Sequence, residues 1–158
     1  RWHLVFLGFT SCPHVCPMTL RKLTAYAALP ASTLAEALAD ADADADVAAA
    51  ADVGLVFLTV DPERDSPERV RAWLDQYDAP ILGITGGREA VDAAIAAFRG
   101  GYTVRADGAY DHSTALFAVD PDGRLAGLIL TQPSALTVAR DMARIMAREG
   151  ALLADTMP

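Results

Sequence analysis

Two cysteines four positions apart, each followed by proline, divide an apolar run from a helix-compatible one in LVFLGFTSCPHVCPMTLRKL, Leu4 to Leu23. The run Leu4-Val5-Phe6-Leu7 reads as a buried strand that stops at Gly8. Pro17 suits the first turn of a helix, where its missing N–H costs nothing, and Met18 to Tyr26 continue in helix-compatible residues. Cys16 is therefore expected at or near a helix N-terminus, with Cys12 in the loop before it. The macrodipole and free N–H groups at such an end favour a thiolate over a thiol, so a lowered cysteine pKa is expected. Cys12 and Cys16 are the only cysteines in the chain, and a strand–loop–helix joint of this kind is a place for sulfur chemistry.

Length and charge bound what surrounds this joint. For 158 residues a single domain over 1–158 is expected, large enough for a genuine core. A formal charge of −8 leaves no basic stripe to neutralise phosphates, which argues against a nucleic-acid binder. No apolar run approaches the roughly 18 residues of a membrane span, and no signal peptide is visible. Arg1-Trp2 opens almost inside a core strand, so residues upstream, any targeting segment included, are expected.

The first helix is expected to reach Ala28, before Leu29-Pro30 interrupts it. Ser32 is the expected cap of a second, alanine-rich helical piece, Thr33 to Leu38. The segment ADADADADVAAAAD, Ala39 to Asp52, is acidic and of low complexity. Its alternating aspartates suggest a calcium loop. Counted from Asp40, however, the sixth position, which needs glycine, is Ala45, and the twelfth, which needs glutamate, is Ala51. The calcium reading fails, and a solvated loop or frayed helix end is expected.

Gly54 to Val60 reads as a second buried strand ending at Asp61-Pro62. In DPERDSPERV, Ser66 is the expected N-cap, with Pro67 at the first helical position and Glu68 near the positive dipole end. Val70, Trp73, Leu74 and Tyr77 make one apolar face. Pro80 to Ile84 reads as a short extended segment. Gly86-Gly87 opens another helix, with Val91, Ala94, Ile95 and Phe98 inside and Arg99-Gly100-Gly101 at its end. Tyr102 to Tyr110 reads as irregular or weakly extended.

Ser113 to Val119 and Leu125 to Leu130 read as a hairpin joined by Asp120-Pro121-Asp122-Gly123. Pro133-Ser134 starts the last helix, with Val138, Met142 and Ile145 on one face and Gly150 at its end. Trp2, Trp73, Phe98 and Met142 are assigned to packing. A parallel βαβ unit followed by an antiparallel ββα unit is the layout of a thioredoxin-like α/β domain, a central mixed sheet flanked by helices. The cysteine pair, between first strand and first helix, sits where that fold keeps its active site.

The cysteine spacing is C-x-x-x-C, not C-x-x-C. On a loop entering a helix, the extra residue lets both sulfurs point at a common third object. A metal is one such object, and thiolates select Cu(I), Zn(II) or iron–sulfur clusters. Two cysteines exclude an all-cysteine cluster, so another ligand type must complete a site. His3 lies at the opposite end of the strand, a bland position. The simpler reading of His14 is a ring in solvent, and the sharper one is a group that raises local metal affinity. His112, in Tyr110-Asp111-His112-Ser113-Thr114, precedes a core strand whose start the expected topology brings beside the first helix, which makes it a candidate ligand. The competing readings are a thiol–disulfide oxidoreductase using Cys12 and Cys16 directly, and a plain stabilising disulfide. Peroxide reduction shares the fold but expects a different motif around its cysteine.

The segments LGFTSCPHVCPMTL, VFLTVDPERDSPERV and YDHSTALFAVDPDGRL, in that order, resemble the Sco/SenC family. Its members are membrane-anchored, thioredoxin-fold copper proteins of respiratory oxidase assembly, and the resemblance runs from Leu4 to the final helix. It implies a copper site formed by Cys12, Cys16 and His112, with Asp61 nearby as a polar neighbour and not a ligand. It implies a metallochaperone that delivers copper to the copper-site subunit of cytochrome c oxidase or reduces that subunit's thiols. Another copper chaperone or a thioredoxin-like reductant is the further partner implied. The implied location is the bacterial periplasm or the outer face of the cytoplasmic membrane, reached through an N-terminal anchor. No enzyme activity is expected beyond accessory thiol–disulfide reduction.

Two departures stand out. Family members commonly carry an acidic residue where this sequence has His14, and the family's upstream β-hairpin and anchor are not in this sequence. The Ala/Asp segment looks like an expanded loop.

Two thiolates and a neutral imidazole suit Cu(I), leaving one net negative charge, and with Cu(II) they leave none. Zn(II) normally asks for four ligands, and only His14 or water is available as a fourth. Asp111 or a backbone carbonyl is the expected partner fixing the His112 imidazole. Met18 is expected at the core or rim. A Cys12–Cys16 disulfide would abolish metal binding, so redox state would gate loading.

Overall fold

The computed structural model describes residues 1–41, 43, 46–130 and 134–156, the last seven by backbone alone. The two apolar runs of the sequence become the middle of a sheet. β1 (His3–Gly8) is buried at every residue after His3, and β2 (Gly54–Thr59) at all of them. Strands covered on both faces carry continuous apolar sequence instead of alternation.

β1 pairs in parallel with β2, and β2 with β3 (Ile81–Ile84). On its other side β1 pairs antiparallel with β6 (Leu116–Val119), which pairs antiparallel with β7 (Leu125–Ile129). The order β3-β2-β1-β6-β7 is the expected mixed sheet of a thioredoxin-like fold. Successive side chains alternate between faces. Leu4 and Phe6 therefore join a core with α1 (Val15–Ala27), α2 (Ala31–Asp40), α3 (Val47–Ala51), α4 (Pro67–Leu74) and α6 (Ala135–Thr156). Val5 and Leu7 pack with α5 (Arg88–Ala97) on the opposite face.

Local signals held where they were strong. Ser66 Oγ accepts the Arg69 N–H with Pro67 at the first position of α4. The Asp120–Gly123 turn closes with Gly123 at φ 83° and its N–H on the Asp120 carbonyl at 3.0 Å.

Five expectations change. Ser32 lies inside α2 and caps nothing, because the helix already starts at Ala31 behind Pro30. The acidic segment is helical at both ends. α2 runs to Asp40, and Asp46 caps α3 by accepting the Ala48 N–H at 2.9 Å. Of that segment, Asp42, Asp44 and Ala45 lie outside the described residues, as does Pro133 at the start of the last helix. α4 stops at Leu74, so Tyr77 lies beyond it and reaches the apolar face by its ring, 5.8 Å from that of Trp73. α6 passes through Gly150 to Thr156, since one glycine weakens a helix without ending it.

The fifth change bears on the site. Tyr102 to Tyr110 is not irregular: β4 (Tyr102–Val104) and β5 (Tyr110–His112) form a two-stranded antiparallel ribbon. Core strand β6 begins only at Leu116, so His112 ends the ribbon and does not adjoin a core strand. Asp107-Gly108, with Gly108 at φ 77°, turns the ribbon. That dipeptide between two short alternating runs was the available signal.

Candidate metal centre

The joint after β1 is built from its backbone outward. Phe9 to Cys12 close a turn in which the Cys12 N–H donates to the Phe9 carbonyl at 3.1 Å. His14 then occupies the N-cap position of α1 with no side-chain cap bond, and its ring is exposed, as the simpler reading expected. Cys16 is the second residue of α1 and is 0% exposed, whereas Cys12 is half-buried. The Cys16 N–H points at the Cys12 sulfur, 3.4 Å away. The free amide of the helix end is thus spent on Cys12.

Cys16 does not have the lowered pKa expected of it. Burial pushes its thiol well above the ordinary 9, outweighing a hydrogen bond from the Phe9 backbone, and the neighbouring Cys12 adds to the rise. Magnitudes explain the reversal. A helix terminus offers about 0.3–2 kcal/mol to an anion, while full burial of a charged group costs about 4–7 kcal/mol.

The ribbon carries His112 to this sulfur. Its ring stands edge-on to Phe6 and Phe9, at 6.2 and 6.0 Å between centroids. Nδ1 lies 3.0 Å from the Ser113 carbonyl. A carbonyl only accepts, so Nδ1 carries the proton and Nε2 presents its lone pair. Nε2 faces the Cys16 sulfur at 3.7 Å. Burial lowers the His112 pKa, with the Ser113 carbonyl and Asp111 pulling the other way, so the neutral, ligand-competent imidazole is favoured. Asp111 does not fix this ring: it is exposed, with Arg105 at 3.8 Å. Of the two partners expected, the backbone carbonyl is the one in place.

With metal–sulfur and metal–nitrogen bonds of about 2.3 and 2.1 Å, two ligands at tetrahedral or trigonal angles lie about 3.6–3.8 Å apart. The Cys16–His112 separation of 3.7 Å matches that edge. Among the described residues no three His, Cys, Asp or Glu side chains are gathered closely enough to hold an ion as they stand. A three-ligand site built on Cys12, Cys16 and His112 therefore requires a side chain of the trio to turn.

The surroundings are partly as expected. Asp61 is buried and takes hydrogen bonds from Tyr110 Oη at 3.1 Å and from Arg64 Nε. His3 pairs opposite Gly54 at the far end of β1, and Met18 is exposed at 44% on the rim. Two residues of the surroundings were not foreseen: Asp65, a fully buried carboxylate bonded to Thr10 and Thr59, and Tyr110, whose ring lies tilted against Phe9 at 5.5 Å between centroids. The second aspartate of VDPERD was the only trace of the first. Nothing local marked the second.

Comparison with known proteins agrees with this architecture. The family model described as SCO1/SenC matches residues 1–147. A Stutzerimonas stutzeri protein named for copper binding is 34% identical over 134 residues, 82% of this chain and 58% of that protein. Crystalline yeast Sco1 with copper bound superposes with a TM-score of 0.70 at 25% identity, covering 90% of this chain and 74% of that one. BsSco, described as a member of the Sco family of cytochrome c oxidase assembly proteins with a disulfide switch, shares the fold at 20% identity and a TM-score of 0.54. That match covers 96% of this chain and 81% of the other. The chain spans 38–58% of the length of three curated relatives it matches. Among the described residues no helix is long and apolar enough to cross a membrane. By its match over residues 1–147 and by its fold, the chain belongs to the SCO1/SenC family.

Proposed function

We propose that this protein binds one copper ion through Cys12, Cys16 and His112 and passes it to the copper-site subunit of cytochrome c oxidase during assembly. The observation that carries the reading is the meeting of the Cys16 sulfur with the unprotonated Nε2 of His112 at 3.7 Å. The family, and relatives named or crystallised for copper, support it.

The ligand chemistry is soft. Cys12 and Cys16 would supply thiolates and His112 a neutral imidazole, a set that suits Cu(I) and tolerates Cu(II). Because the Cys16 thiol is held protonated by burial, loading must release its proton. The half-exposed Cys12 is the ligand open to exchange with a donor or acceptor, such as another copper chaperone. We place the working site on the outer face of a bacterial cytoplasmic membrane, in an anchored protein.

A second reading draws on one observation. The Cys16 N–H donates to the sulfur of Cys12, the more accessible of the two cysteines and so the one placed to attack as the nucleophile of a thiol–disulfide reductase. Anaerobic Cu(I) titration of the reduced protein against a competing chelator separates the two. One firmly held copper per chain, lost in Cys12→Ser, Cys16→Ser and His112→Ala, is the expected result. Weak, non-stoichiometric binding with dithiol activity that survives His112→Ala would instead favour the reductase.

A further inference from the structure

The turn after β2 touches both segments that carry the proposed ligands. Asp65 is 0% exposed, and its carboxylate takes the Thr10 N–H at 3.0 Å, the Thr10 hydroxyl, and the Thr59 hydroxyl at 2.6 Å. Arg69, one turn into α4, has its Nε 3.8 Å from the same carboxylate. It donates to Thr10 Oγ1 at 2.8 Å and to Ser11 Oγ at 2.9 Å. Thr10 and Ser11 are the central residues of the turn that Cys12 closes on Phe9. What Asp65 holds, across 55 residues of sequence, is the approach to Cys12.

Asp61 stands four residues before Asp65 and is also buried. It accepts the Tyr110 hydroxyl, and Tyr110 precedes His112 by two residues on β5. The β4–β5 ribbon shares no ladder with the five-stranded sheet. Its end, and His112 with it, is held by its short link to β6, by the Ser113 N–H on the Gly101 carbonyl, and by side-chain contacts, the Tyr110 hydroxyl meeting both Asp61 and Arg88. Buried carboxylates are costly unless several donors satisfy them, and both of these have such donors.

We infer that Asp65 and Asp61 are positioning residues, Asp65 for Cys12 and Asp61, through Tyr110, for His112. One short turn then sets how the cysteine loop and the ribbon meet. The inference rests on the metal reading above for its His112 half, and on thiol chemistry alone for its Cys12 half.

Replacing either aspartate endangers folding, so the test changes their partners. The first measurement is the Cys12–Cys16 dithiol–disulfide equilibrium against glutathione, which needs no metal. Thr10→Val and the half-exposed Arg69→Ala are each expected to shift it about tenfold or more, ~30 mV, and Tyr110→Phe by less than about twofold. The second measurement is Cu(I) affinity by chelator competition. Tyr110→Phe is expected to weaken it about tenfold. In the His112→Ala background the same change is expected to do nothing further, because Tyr110 acts through His112.

If all three single variants move both quantities in proportion to lost thermal stability, the contacts are general packing and the inference is overturned. It is overturned equally if none moves either quantity. A wild-type chain that fails to bind Cu(I) would overturn the proposed function and the His112 half with it. The glutathione equilibrium would still decide the Asp65 half.

Discussion

Cys16 and His112, 96 residues apart in the chain, meet with Sγ and Nε2 separated by 3.7 Å. Neither side chain is free to drift. Cys16 is fully buried at the start of α1, and the His112 ring is held by Phe6, Phe9 and the Ser113 carbonyl. Cys12, half-buried in a loop turn, is the adjustable member of the trio.

This asymmetry separates the two thiols chemically. Only a thiolate alkylates, and Cys16 is both inaccessible and held protonated by burial. In the reduced, metal-free protein near pH 8, Cys12 is expected to react with iodoacetamide at least about a hundredfold faster than Cys16. Denaturation should equalise them. Mass spectrometry of time points reads the ratio, and equal rates in the folded protein would contradict the buried Cys16.

Stability is expected to fall on mild acidification. Burial lowers the pKa of His112, and also of His3, below the ordinary 6.5. The unfolded chain therefore binds more protons than the folded one as pH drops through about 6.5, and stability is lost from there downward. Glu63, held low by the Arg88 hydrogen bond, and Glu68, held low by backbone N–H and Ser66, add a further loss only below about 4.5. Urea midpoints should be flat between about pH 7 and 8 and decline between about pH 6.5 and 5.5. His112→Phe should flatten most of that decline, with His3 accounting for the rest. An unchanged decline would show that His112 titrates normally in the fold.

Gly8 ends β1 directly against the site. A Cβ there would stand 2.9 Å from the Cys16 sulfur and 2.9 Å from Phe57 Cε2. Gly8→Ala is expected to cost about 1–3 kcal/mol by urea denaturation, as overpacking does. It should also raise the Cys16 alkylation rate, since the sulfur or the ring must give way. A neutral substitution would mean that the strand end relaxes freely.

At the other end of α1, Tyr26 is 3% exposed and donates to the Ala50 carbonyl at 3.0 Å, tying the helix to the end of the acidic segment. Tyr26→Phe leaves that carbonyl without this donor. A loss of about 1 kcal/mol is expected, with no change in the reactivity of Cys12. Retained stability would mean that Ala50 does not depend on the contact.

Much of the architecture was legible because its causes are local. β1 and β2 announce themselves as apolar runs, Ser66-Pro67 as a helix start, and Asp120–Gly123 as a turn. The β4–β5 ribbon was harder. Its strands have three residues each and bury little, so its only signal is the Asp107-Gly108 turn. The extent of α2 and α6 also escaped, since alanine-rich sequence continues a helix without marking where it ends.

Residues Leu4 to Leu23 alone specify the strand–turn–helix joint that carries Cys12 and Cys16, and the run Tyr110-Asp111-His112 marks His112 as a candidate to join them. Side-chain period and capping chemistry depend on neighbours in the chain, so they can be read there. Folding in three dimensions settled that Cys16 is a buried thiol and that Cys12 receives the helix amide. It also decided that the Ser113 carbonyl and not Asp111 orients the imidazole, and that Asp65 reaches back to Thr10. The burial of Cys16 and the 55-residue reach of Asp65 depend on segments brought together by packing, which do not exist until the sheet, α1 and the ribbon have closed around the site, whereas the contacts at Cys12 and His112 are local, four residues and one residue apart, and no residue-type signal announced them.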